Sequence, residues 1–166
     1  MATTMYDVSI PVFTRALRNL SAVLKKGQAH AQSKSSAPDG LLKQRLIFDM
    51  FPLAMQVQRA CDTAARSAAR MAGTTPQVFP DTETTFDQLR DRITRTIAYL
   101  DTFKPEQINA AEGRDITRPS GKDTVHYKGL PYLTDYALPN FFFHCTTAYD
   151  ILRVAGTPIG KRDFLG

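Results

Sequence analysis

The stretch Pro139-Asn-Phe-Phe-Phe-His144-Cys-Thr-Thr-Ala-Tyr149-Asp-Ile-Leu-Arg-Val-Ala-Gly156 decides how this chain folds. Read as the last of four amphipathic helices, it leaves a bundle as the way to bury four apolar faces together. Gly156 and Pro158 end it, and its leading part reaches back to about Leu130, with Pro139 either kinking the helix or separating a short lead from the main run. The other three helices follow from apolar residues at three-and-four spacing. Ile10, Phe13, Leu17, Leu20 and Leu24 mark a first helix over about 6–33, which stops in the turn formers Ser33 to Gly40. Pro52 opens a second, whose narrow face of Leu53, Val57, Ala60, Cys61, Ala64 and Ala68 admits a close neighbour before Gly73 ends it. Asp81 to Thr85 caps a third carrying Phe86, Leu89, Ile93, Ile97 and Leu100, closed at Lys104-Pro105.

Between the third and fourth helices the period changes. Arg114 to Arg118 and Thr124 to Tyr127 alternate polar with β-branched or aromatic residues around Pro119-Ser-Gly121-Lys, which predicts a β-hairpin. A connection of about 25 residues is long for neighbours in a bundle, which use ~2 to 8, and a loop of that length often covers something. At 166 residues the chain is expected to form one domain, 1–166.

Composition narrows the function. The net charge of +5 comes from 21 Lys and Arg residues without a basic run, so a solvated surface is expected and no nucleic-acid partner. Cys61 and Cys145 have no metal or redox spacing and are expected as buried thiols. No apolar run approaches ~20 residues and no leader pattern opens the chain, which predicts a cytoplasmic protein without a membrane partner. No phosphate loop, nucleophile elbow or His-Glu-x-x-His occurs.

The candidate site residues fall on three of the four helices. Asn140 and His144 are four apart and point within about 40° of each other, with Phe141 beside them. His30 falls at the edge of the first helix's apolar stripe. Asp49 and Gln56 are seven apart near the start of the second helix, where Asp49 also reads as a cap for it. Tyr149 is a further polar group beside an apolar face. These residues predict a pocket in which His144, His30 and Tyr149 are catalytic and Asn140, Gln56, Asp49 and Phe141 bind a small-molecule substrate, with the His144 pKa able to cross neutrality.

Taken with Arg45-Leu-Ile-Phe-Asp49-Met-Phe-Pro52, the string from Pro139 through Arg153 to Gly160-Lys-Arg-Asp-Phe-Leu-Gly166 resembles a microbial domain of unknown function within the DinB/YfiT-like superfamily. That resemblance implies an all-α four-helix bundle with a cleft at one end, the small hairpin lying between helices 3 and 4. Typical relatives hold a divalent metal with three histidines, two of them as His-x-x-x-His on the fourth helix. Here the second of that pair corresponds to His144 and the first to Asn140, and the second-helix histidine has no counterpart. The expectation is therefore a metal-free pocket serving an isomerase, cyclase or lyase. The alternatives are a non-catalytic binding or interaction module, dimeric through exposed helix faces, and a divalent-metal-dependent transferase.

Overall fold

Four long helices form where the apolar spacing predicts them, in a computed structural model that describes residues 2–34 and 37–166. Helix α1 spans Ile10–Ser33, α2 Leu53–Ala72 and α3 Phe86–Leu100. Helix α1 begins four residues later than its periodicity suggests. The reason is Pro11, which lacks the N–H that an earlier start would require it to donate. Between α1 and α2 a 3₁₀ turn covers Pro38–Lys43, while Ser35 and Ser36 of the expected turn lie outside the described residues. The cap of α3 is reciprocal: Gln88 N donates to Thr85 Oγ1 at 3.2 Å, and Thr85 N donates to Gln88 Oε1 at 3.1 Å.

After α3 the chain departs from expectation again. Pro105 does not close α3, which has already ended, but opens a short helix α4, Pro105–Asn109. Strands β1, Asp115–Ser120, and β2, Asp123–Lys128, pair antiparallel with Ile116 opposite Tyr127 and Arg118 opposite Val125. Gly121 turns the hairpin at φ 61°, a conformation that a side chain resists.

After β2 comes one helical turn, α5, Gly129–Pro131, then a π-helical segment, Tyr132–Ala137, and α6, Leu138–Val154. Pro139 therefore stands in the first turn of the main run with a short lead before it, the separating alternative of the two expected. The wider π turn just before it suits a residue that cannot donate the next i→i−4 bond.

Helix α2 packs against α3 and α6, and α1 against α3 and α6, so the four surround one core. Phe13 and Phe141 meet edge to face at its centre, with centroids 4.9 Å apart. Both cysteines are free and buried there, and burial pushes the Cys61 thiol up to about 12. The closing tail forms α7, Lys161–Leu165, which packs on α1 through a Lys26–Asp163 ion pair and a bond from Asn19 Nδ2 to Phe164 O of 3.2 Å. No helix among the described residues is long and apolar enough to cross a membrane.

Candidate functional site

His144 reaches α2 across the narrow alanine face that lets α6 approach. Its Nδ1 lies 2.7 Å from Gln56 Oε1, and Gln56 Nε2 donates to Phe51 O at 3.0 Å. The second bond settles the first. With its amide N–H committed to a carbonyl, Gln56 offers an oxygen that only accepts, so His144 carries its proton on Nδ1. Nε2 is left with a lone pair and no partner among the described residues. Burial, reinforced by the Arg59 guanidinium, pushes the His144 pKa down to about 4 from 6.5. This corrects the expectation of a pKa crossing neutrality: the ring is neutral at pH 7.

One turn earlier on α6, Asn140 Nδ2 donates to Thr63 Oγ1 at 2.8 Å, and that hydroxyl donates to Arg59 O at 2.7 Å. Asn140, His144 and Thr63 line a cavity of about 320 Å³ between α2, α6 and the hairpin. Strand alternation brings Arg118 to the face that meets the helices, where its guanidinium stacks on Tyr136 with the central carbon 3.8 Å from the ring centroid. Pro119 follows it on the same wall. The long connection does cover something.

Helix α2 supplies most of the remaining wall, through Arg59, Asp62, Arg66, Ser67 and Arg70. Among the described residues Asp62 is the one carboxylate lining the cavity, and it is heavily engaged. Its oxygens meet Arg92 at 2.7 Å, Arg66 at 3.0 Å and Arg59 at 3.5 Å. Arg59 also pairs with Asp81. Arg70 has a different partner, donating to Tyr132 Oη at 3.3 Å, and that hydroxyl is also 3.1 Å from Ser67 Oγ. With His144 neutral, four arginines and one aspartate leave the cavity strongly electropositive.

Of the residues anticipated for the pocket, the fold brings together His144, Asn140 and Gln56 and places the others elsewhere. His30 lies against Gly156, roughly 18 Å along α6 from His144. Tyr149 faces the opposite side of α6, edge-on to Phe164 at 5.7 Å in a narrow crevice with Ala16 and Leu20. Phe141 is wholly buried against Phe13 and Phe142. Asp49 sits exposed in the loop before α2, outside the helix and not capping it, because Pro52 holds the N-cap position. The arginines were missed, although a signal existed. Positions 59, 63, 66 and 70 form a polar stripe at three-and-four spacing in phase with Gln56.

The metal centre implied by the resemblance does not fit these residues. Around His144 stand two amides and a guanidinium, its Nδ1 is committed, and no group of three or more His, Cys, Asp or Glu side chains suited to an ion occurs among the described residues.

Comparison with known proteins agrees with the architecture. Residues 5–165 match the family described as Domain of unknown function (DUF1993). The crystal structure of a DinB family member protein from Shewanella denitrificans is 40% identical and superposes with a TM-score of 0.90, covering 97% of this chain and 91% of that one. No curated protein matches the chain.

Proposed function

We propose, for a chain that belongs to the DUF1993 family and carries the DinB-like bundle, that it is a small-molecule enzyme of the isomerase, cyclase or lyase type in which His144 moves a proton. The observation that carries this reading is the fixed tautomer: Gln56 holds the Nδ1 proton, so the free Nε2 lone pair is the basic atom beside the cavity. A substrate C–H or O–H placed there loses its proton to Nε2. The bonding pair stays on the substrate, and the imidazolium returns the proton to another substrate atom or to a leaving group. Burial makes that imidazolium costly, which favours rapid return. The oxygen of Asn140, whose amide nitrogen donates one N–H to Thr63 and so fixes the amide's orientation, accepts a substrate hydrogen bond and orients the molecule.

One observation favours a second reading. A His144 pKa near 4 lies well below the neutral range suited to a general base, which fits a polar wall of a non-catalytic binding pocket.

Incubation with a mixed metabolite extract in D₂O separates the two. The enzyme reading predicts solvent deuterium entering at least one metabolite, read by mass spectrometry, with the rate falling about a hundredfold or more in His144→Ala. Equal incorporation by both proteins sinks it, and an extract left unlabelled by the wild type favours the binding pocket.

A further inference from the structure

We infer that the cavity beside His144 is built to hold an oxyanion, a carboxylate or phosphate group of its ligand, between the guanidinium groups of Arg70 and Arg118. This deepens the proton-transfer reading by naming a substrate class, and it rests on that reading only for what the far end of the ligand does.

Arg59 and Arg66 share Asp62, whereas among the described residues the contacts of Arg70 and Arg118 are all neutral. Arg70 donates to the Tyr132 hydroxyl. Arg118 donates to Pro119 O at 3.2 Å and to Tyr127 Oη at 3.5 Å, and its Nε is sealed from solvent with no hydrogen-bond partner among the described residues. Two guanidinium charges thus line a recess whose one carboxylate is already shared among three other arginines. A solvated surface arginine would be mobile and free to meet water. Arg118 instead rests over Tyr136, which restrains its donors before any ligand arrives.

The two arginines are joined through aromatic rings. Tyr132 and Tyr136 are 5.7 Å apart, so the residue that receives Arg70 packs directly on the one that supports Arg118. Carboxylates and phosphates match this arrangement because each has several oxygens for planar forks of N–H donors. An anion seated there would neutralise the cavity, while Asn140 and His144 remain open to the uncharged part of the same molecule.

Isothermal titration calorimetry at low ionic strength tests this with two probes used separately, inorganic phosphate and benzoate. At least one is expected to bind the wild type one to one with Kd below about 10 mM. Arg118→Gln and Arg70→Gln are expected to weaken that binding about tenfold or more, and Arg15→Gln, on the exposed face of α1, to leave it unchanged. Thermal melting checks that each variant is folded. Should Arg70→Gln fail to fold, Arg118→Gln and Arg118→Lys on the outlying hairpin decide the matter, the lysine weakening binding by losing the planar fork. Phosphate binding alone assigns a phosphorylated ligand, and benzoate binding alone a carboxylate. If neither probe binds, or if Arg118→Gln binds as tightly as the wild type, the inference is overturned. Calorimetry reads binding without turnover, so a failure here leaves the role of His144 standing, and the deuterium experiment can fail without touching the anion site.

Discussion

At His144, proton position follows from a bond two groups away, because the Phe51 carbonyl orients Gln56 and Gln56 then orients the imidazole. Burial has a second effect there, on stability. The folded ring takes a proton only near pH 4, whereas the unfolded ring takes one near 6.5. Between those values the unfolded chain binds more protons, so the stabilisation is full above pH 6.5 and is lost as pH falls toward 4. Urea unfolding should therefore show the wild type losing roughly 2 kcal/mol between pH 7 and pH 5 from this residue. The loss should vanish in His144→Gln, and an equal pH dependence in the two proteins would refute a neutral buried ring. A histidine four residues after an asparagine was legible in the chain. The sign of its pKa shift was not, since it depends on Arg59 and on burial, which arise only in the fold.

Among the elements, the hairpin matters most to the site because it carries Arg118. Its alternation and its Gly-containing turn could be read in advance, but the residue that anchors its base could not. Gly129 joins β2 to the last helical run at a point where a Cβ would stand 1.8 Å from the Ala111 carbonyl oxygen. That neighbour is backbone and cannot rotate away. Gly129→Ala should cost about 2 kcal/mol or more, seen as a lowered Tm, and Gly113→Ala, which meets nothing within 4 Å, should change it little. Comparable melting of the two variants would show that the hairpin base yields. The π turn before Pro139 is a further consequence of tertiary context. A lone proline in an apolar run signals a disturbance of the helix without saying which kind.

For the molecule as a whole, the tie between α2, α3 and the loop joining them is Arg92, which is fully buried. It meets Asp62 at 2.7 Å, Asp81 at 3.0 Å and Glu83 at 3.1 Å, and donates to the Pro80 carbonyl at 2.9 Å. Burial alone would raise the Glu83 carboxyl, but hydrogen bonds from Gln58 and Arg92 hold it below its ordinary 4.5. Its contribution is present above pH 4.5 and is lost as the pH falls through the lower folded value. Arg92→Met leaves the carboxylates of Asp62 and Glu83 without their shared cation and should cost about 3–5 kcal/mol in urea unfolding. A cost below about 1 kcal/mol would mean that solvent, not Arg92, compensates them. The same network sets the cavity's charge, because it draws Asp62 toward the interior and leaves the outer arginines in excess.

The amino-acid sequence by itself determined the helices, the hairpin and their packing as a bundle, because apolar periodicity, caps and turn residues act over a few positions and need no distant partner. It also placed Asn140 and His144 on one face, since a separation of four is a local fact of helix geometry. Only the tertiary structure decided which groups meet there. Asp49, Tyr149 and His30 had the right chemistry, but Asp49 lay before α2 began, Tyr149 on the far side of α6, and His30 on α1 beside the far end of α6. Arg70 and Arg118, 48 positions apart in the chain, line one cavity, where Tyr132 and Tyr136 bridge them. Charge in a cavity is a sum over residues from separate elements, and no window along the chain contains that sum.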